Sequence, residues 1–244
     1  MEKKLTDLEF HSRTRMLIGE KALERVIASH VAVFGLGGVG GGVLEGLARA
    51  GVGRLTLVDF DRVSESNINR QLIADISTVG MLKTDAARER LVRINPNIEI
   101  ITHELFYSEE NADQIDLSGV DYIVDAIDSV RSKVALITRA KREGIPIISC
   151  MGTGNRVDAL SFEIKDVYET SGCPLARVMR HELRKNGIDS LKVLCSASDV
   201  YRTPDTDASF ADREKRPPAS ISYVPPVVGF IIAGEVIKHI AQIK

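Results

Sequence analysis

The apolar positions of this chain change period several times, and each change marks an element. From Thr6 to Ala28 they recur at helical spacing, with Leu8, Leu17, Leu23 and Ile27 as the expected buried positions. Val31 to Gly35 is a short continuous apolar run, the pattern of a strand covered on both faces. A glycine-rich turn follows and opens a helix that Gly51 closes. A second strand ends on Asp59, and Met81 to Ile94 reads as a helix broken by Asn95-Pro96-Asn97. Ile98–His103, Asp121–Asp125 and Ile145–Cys150 read as further strands, with a helix over Ser132–Glu143. Strands and helices alternating at this spacing predict a mostly parallel sheet with helices on both faces, a Rossmann-like α/β fold. Beyond Met151 the pattern changes. Leu160–Val167 and Leu191–Cys195 are expected as C-terminal antiparallel strands around a charged helix from Pro174 to Lys185. Ser196–Ser220 reads as a long loop, and an apolar helix over Val227–Ile240 follows. The division this suggests is an N-terminal helical segment (1–28), a nucleotide-binding core (29–154) and a C-terminal extension (155–244) in the same domain.

Composition narrows this picture a little. The 244 residues carry 32 Lys and Arg against 34 Asp and Glu, so no global charge marks a nucleic-acid binder, although a local basic face fits inside such a total. The opening MEKKLTDLEF has no apolar core of a signal peptide. The longest apolar run, Val224–Ile232, holds two prolines and a glycine and is shorter than the roughly 18 residues of a spanning segment. The expectation is a cytoplasmic protein with no membrane partner. Cys150, Cys173 and Cys195 form no CxxC pair, so structural zinc is not expected and the thiols should be reduced.

The chemistry begins at Gly35-Leu36-Gly37-Gly38-Val39-Gly40, which follows a strand and opens a helix. The first glycine makes a tight turn, the second lets the backbone approach phosphate, and the third packs helix on strand. The helix N-terminus then offers free N–H groups to an anion. Asp59 stands at the end of the second strand, where a carboxylate can accept from ribose hydroxyls, and Asp61 lies two residues on. Alone, this fingerprint suits a nicotinamide or flavin dinucleotide, or a glycine-rich packing turn without ligand. Asn67, Arg70, Lys83 and Asp128 alter the balance. A reacting triphosphate needs cations for charge that builds on leaving pyrophosphate, and a carboxylate for Mg²⁺. Arg70, Lys83 and Asp128 supply such a set at or beyond strand ends. Singly, Arg70 and Lys83 are as readily solvated charges, and Asp128 a helix N-cap.

GLGGVG, LVDFD, NINRQ, VGMLKTDAA and DAIDS, in that order, resemble the ubiquitin-activating-enzyme-like superfamily in its small bacterial-type branch, which includes the molybdopterin and thiamine adenylyltransferases. The likeness spans roughly Arg13 to Gly154. It implies ATP bound with Mg²⁺, Asp59 on the ribose, Asn67, Arg70 and Lys83 on the phosphates, and Asp128 on the metal. It also implies a homodimer in which an N-terminal arginine reaches the partner's ATP; Arg13 is our choice, Arg15 the second. RTRMLIGEKAL, DAIDSVRSKVALI, INPNIEI and SGCPLARVMRHELRK are similar to a narrower group, the tRNA threonylcarbamoyladenosine dehydratases. These adenylate the threonine carboxylate of a modified adenosine beside the anticodon, and ring closure expels AMP.

Between Arg177 and Lys192 the chain carries an excess of three positive charges. Arg177, Arg180 and Arg184 recur at helical spacing, with Lys185 beside them, so one helix face is expected to track tRNA phosphates unless it is simply solvated. Lys215 and Arg216, in the long loop, are further candidates. Cys173 reads as a partly buried packing position, because ring closure on an acyl adenylate needs no protein nucleophile. The reading is therefore an ATP-dependent tRNA dehydratase. An adenylyltransferase for a ubiquitin-like sulfur carrier and a dinucleotide-binding oxidoreductase or regulatory protein are the alternatives, and a sulfur-transfer accessory protein is left open.

Overall fold

The computed structural model describes residues 7–201 and 218–243. The expected first helix is three pieces: α1 (Asp7–Phe10), α2 (Ser12–Ile18) and α3 (Glu20–Ala28). Gly19, between the last two, holds φ +82°, which glycine adopts at no steric cost, so the helix stops and restarts there. The break leaves Leu17 85% exposed, against expectation, while Leu23 is buried and Ile27 half-buried. The side chain of Leu8 lies outside the described residues.

Seven strands form one sheet: β1 (His30–Phe34), β2 (Arg54–Val58), β3 (Glu99–His103), β4 (Tyr122–Asp125), β5 (Ile147–Cys150), β6 (Phe162–Asp166) and β7 (Lys192–Ser196). Their order is β3-β2-β1-β4-β5-β7-β6, parallel throughout except for the β6–β7 pair. Of the two expected C-terminal strands, then, only β6 runs antiparallel. β7 extends the parallel sheet by pairing with β5.

The continuous apolar run of β1 has a direct cause. Val31 and Val33 enter one hydrophobic core, Ala32 and Phe34 the other, because successive side chains point to opposite faces. One core lies under α4 (Gly38–Ala50), α5 (Lys83–Ile94) and α8 (Val224–Ala241); the second lies under α6 (Val130–Glu143) and α7 (Pro174–Lys185). The α5 helix starts at Lys83 rather than Met81, because Leu82 bridges to Arg62.

The α4 helix meets α8 backbone to backbone. A Cβ on Gly42 would sit 2.5 Å from Pro226 O, and one on Gly229 2.3 Å from Val39 O. Part of the glycine richness of α4 is thus a helix-packing seam, a role that the motif reading did not assign. The α8 helix runs through Pro225 and Pro226 at its first turn, where proline costs no hydrogen bond. By length and composition it is apolar enough to cross a membrane, which corrects the expectation of no such segment; half of it is buried in the fold. Of the Ser196–Ser220 loop, residues 202–217 lie outside the described residues, and Lys215 and Arg216 with them.

Candidate functional site

The parallel strands all end on one edge, and the chain reverses direction across the sheet between β1 and β4. A crevice forms at such a switch point. Here it is a cleft of about 410 Å³. Gly35, Gly37 and Gly38 line it, as do Asp59, Asp61 and Asn67. Arg70, Lys83 and Asp128 complete the predicted set. Gly40 lies behind the wall, where a Cβ would come within 1.9 Å of Gly35 O. Gly35 itself has φ +87° and lies against the backbone of Ala126. Gly37 is different: a Cβ there would meet nothing closer than Gln71 Nε2 at 3.9 Å, so this glycine keeps the cleft open rather than closing a packing contact. The first-turn N–H groups of α4 have no partners within the helix, and they begin at this wall.

Asp59 is buried, and its two oxygens accept from Leu36 N–H at 2.6 Å and Asp61 N–H at 2.8 Å. Those bonds tie the end of β2 to the glycine turn. Burial holds its carboxyl above the usual range, opposed by Lys83, whose Nζ stands 4.0 Å from Oδ1. Lys83 is itself buried and donates to Asp61 Oδ2 at 2.6 Å, so its ammonium is fixed at the cleft floor by two carboxylates. Asn67 is the end of a capping box: Ser64 N–H donates to its Oδ1 at 3.1 Å. Arg70 Nη1 donates to Ser66 O and Asn69 Oδ1, both at 2.8 Å, which orients the guanidinium at the wall and leaves most of its donors for a ligand.

Asp128 is exposed, and among the described residues nothing pairs with its carboxylate. The expected alternative, an N-cap for the following helix, falls instead to Ser129, whose hydroxyl accepts from Ser132 N–H. The loop bearing Asp128 is anchored from beneath. Asp125 is fully buried, takes Lys133 Nζ at 3.0 Å and Ser149 Oγ at 2.5 Å on one oxygen, and receives Ile127 N–H on the other at 3.1 Å. Lys133, also fully buried, donates to Cys150 O at 2.8 Å, so the pair is satisfied on all sides.

Other lining residues escaped the sequence reading. Phe60 and Phe106 meet edge to face at 5.0 Å, half-exposed beside Asp59, and give one end of the cleft an apolar rim. Phe60 falls inside LVDFD and was legible as a neighbour of Asp59; Phe106, on the loop after the neighbouring parallel strand β3, carries no motif. Thr153, Gly154, Pro218 and Ser220 form the opposite end, again without a motif, and Pro225 lies against Gly38.

Arg13 is exposed on α2 and does not line the cleft of its own chain. Arg15 pairs with Glu20 at 2.6 Å. The expected basic face of α7 is only partly present. Ala176, Met179 and Leu183 bury the helix's inner side. Arg180 donates to Thr170 O at 3.0 Å, Lys185 pairs with Glu182 at 2.9 Å, and Lys192 pairs with Glu235 at 2.6 Å. Arg184 stacks over the Tyr168 ring at 4.9 Å, and Arg177 is exposed with no side-chain partner among the described residues. Two cations, Arg177 and Arg184, thus remain for an anionic partner. The three cysteines are buried and reduced, and the fold gathers them. A hydrogen bond from the Cys195 thiol, with the N–H groups of Ala176, Gly152 and Leu175, pulls the Cys173 thiol well below its ordinary range.

Comparison with known proteins identifies the family and the fold. Residues 11–244 match the ThiF family. The tRNA threonylcarbamoyladenosine dehydratase of Bacillus subtilis is 41% identical over 239 residues, covering 95% of this chain and 94% of that protein. The crystal structure of the Escherichia coli tRNA N6-threonylcarbamoyladenosine dehydratase TcdA in complex with ATP superposes with a TM-score of 0.87 at 30% identity, covering 98% of this chain and 97% of that one. The same enzyme in complex with AMP gives the same TM-score, identity and coverage.

Proposed function

The chain belongs to the ThiF family, and on that premise we propose that it is an ATP-dependent tRNA threonylcarbamoyladenosine dehydratase. The observation that carries this reading is the meeting, in one cleft, of the glycine turn, Asp59, the fixed Lys83 ammonium, Arg70 and the Asp128 carboxylate. ATP lies with its ribose on Asp59 and its phosphates on the α4 N-terminus, Arg70 and Lys83. The threonine carboxylate of the modified adenosine attacks the α-phosphorus, and pyrophosphate leaves. Charge grows on that leaving group, and Lys83 and Arg70, held at the cleft by their bonds to Asp61 and Ser66, are the cations that balance it with little reorganisation. The carbamoyl-adenine portion of the same nucleoside then closes onto the activated carbonyl and expels AMP. That step is intramolecular and asks the protein for position rather than for a nucleophile.

Asp128 fits a Mg²⁺ site, because its carboxylate lines the cleft with no partner among the described residues; the ion, when bound, screens charge between the phosphates. The exposed position of Arg13 supports a homodimer in which it completes the partner's site. Residues 29–154 then form the nucleotide core, residues 1–28 the arm toward the partner, and residues 155–244 the acceptor side, within one domain. Arg177 and Arg184 supply phosphate contacts to tRNA, and the work takes place in the cytoplasm.

The test is nucleoside mass spectrometry of tRNA bearing the threonylcarbamoyl modification, incubated with the protein, ATP and Mg²⁺. Loss of one water from that nucleoside, with AMP and pyrophosphate formed in step, is the expected result. Unchanged tRNA, together with pyrophosphate exchange that depends on a sulfur-carrier protein, would overturn it.

A further inference from the structure

The cleft has two ends, and the sheet order distinguishes them. Asp59 at the end of β2, with Phe60 and Phe106, marks the nucleoside end of ATP; the glycine turn after β1 and Asp128 after β4 mark its phosphates. The acceptor must therefore approach from the side of β5, where Thr153 and Gly154 face Pro218 and Ser220. These residues come from two chain segments far apart in sequence, and Asn155 stitches them together beside Gly154. Asn155 has φ +54°, a backbone conformation that costs most non-glycine residues and that asparagine tolerates best. In that conformation its N–H donates to Ala219 O at 2.7 Å, its Oδ1 accepts from Ala219 N–H at 2.8 Å, and its carbonyl accepts from Tyr201 N–H at 2.8 Å. Asn155 thus grips both Tyr201 and Ala219. Its neighbour Gly154 leaves room for the segment so held: a Cβ there would come within 2.5 Å of Pro218 Cβ.

We propose that Asn155 is a positioning residue that sets the acceptor end of the cleft for the nucleoside carboxylate of tRNA, an inference that rests on the dehydratase reading. It touches neither ATP nor the reacting atoms. It acts by holding the Pro218–Ser220 wall at a fixed distance from Gly154, which sets the width through which the modified base enters. Asn69 helps from the phosphate side, its Nδ2 donating to Ser220 O at 3.3 Å.

The experiment compares Asn155→Ala and Asn155→Asp with the parent in steady-state dehydration of modified tRNA, alongside ATP binding without tRNA. Amide exchange of Tyr201 and Ala219 is followed in the same proteins. Aspartate keeps the acceptor oxygen and tolerates positive φ, whereas alanine loses the first and disfavours the second. Asn155→Ala is expected to raise KM for tRNA about tenfold, from one lost hydrogen bond plus backbone strain, and to move ATP affinity less than about twofold. Tyr201 and Ala219 should exchange faster, and Asn155→Asp should behave like the parent. Gly154→Ala, which presses on Pro218 from the other side, should repeat the split between tRNA and ATP and serves if Asn155→Ala folds poorly. An unchanged KM for tRNA, or ATP affinity falling in step with it, overturns the proposal. Should the parent leave modified tRNA untouched, the dehydratase reading is what has failed. The clasp is then judged by exchange, and amides as protected in Asn155→Ala as in the parent overturn it.

Discussion

At the phosphate end of the cleft, Asp59 and Lys83 are held by bonds to Leu36 and Asp61, Gly35 lies against Ala126 after β4, and Pro225 of α8 is laid across Gly38. At the acceptor end the wall is assembled from residues 153–161 and 218–223, joined by Asn155 to Ala219 and by the Tyr223 hydroxyl to Val157 O. The first end is made mostly of short-range bonds and buried charges, the second of a few bonds between distant segments. Short-range construction gives stiffness, and stiffness is what electrostatic stabilisation of a leaving group needs. An entrance for a large polymer requires shape instead, and a handful of hydrogen bonds supplies that at low cost in packing. Substitutions at the two ends should therefore separate chemistry from substrate entry.

The largest effect is expected at Asp128. Asp128→Ala should lower ATP–pyrophosphate exchange by about 10³-fold or more, with the thermal unfolding midpoint unchanged, because among the described residues the carboxylate has no partner to lose. Near-normal exchange at saturating ATP and Mg²⁺ would remove Asp128 from the metal site. Next comes complementation. If Arg13 acts across a dimer, mixing inactive Arg13→Ala and Asp128→Ala chains under exchanging conditions should restore about a quarter of parental activity, since half the dimers are mixed and each has one undamaged site. No recovery would place Arg13 outside the partner's site.

A smaller effect concerns α7. Arg177→Glu with Arg184→Glu should weaken tRNA binding and reduce the slope of log affinity against log salt by about two, one per lost phosphate contact, while ATP affinity stays put. Arg180→Ala should instead cost about 1 kcal/mol of stability through its bond to Thr170 and leave the salt slope alone. An unchanged slope in the double variant would make α7 a solvated surface.

The smallest and most graded effect is in pH. Burial raises the Asp59 carboxyl above its ordinary range, so it takes up a proton at a higher pH than an exposed aspartate. ATP affinity should fall as pH drops through that raised pKa, as a ribose acceptor is neutralised, and Asp59→Asn should flatten this acid limb. A folded-state pKa above the unfolded one means that protonation of this group favours the fold, so the loss of affinity should come without any loss of stability from Asp59. Calorimetric titration of ATP across the acid range measures it. An acid limb that persists in Asp59→Asn assigns the titration elsewhere.

How much of this was legible depends on range. The glycine turn, Asp59 and Asp128 follow strand ends by a few residues, and a strand end fixes where its next residues point, so their convergence could be read from spacing; Lys83, at the start of α5, lies well beyond its strand and was read from its place in the motif order. The α7 face shows the limit of the same method. Helical spacing brought Arg177, Arg180 and Arg184 to one side, but spacing carries no information on Thr170 or Tyr168, which engage Arg180 and Arg184 from other elements. The glycines of α4 were likewise read for phosphate approach and for packing on the strand, because nothing near them in sequence announces that α8 lies across them.

What followed from residue order alone was local and periodic: the strand–turn–helix units, the parallel sheet they imply, and the row of ligand-facing residues at its edge. Such features depend on backbone geometry over a few residues, and side-chain period reports that directly. The tertiary structure alone decided that β7 runs parallel beside β5, that Leu17 faces solvent after the break at Gly19, and that Asn155 spans two segments to shape the acceptor end. Each of those is a contact between residues distant in the chain, where the outcome turns on which surfaces remain to be covered once the local elements have formed.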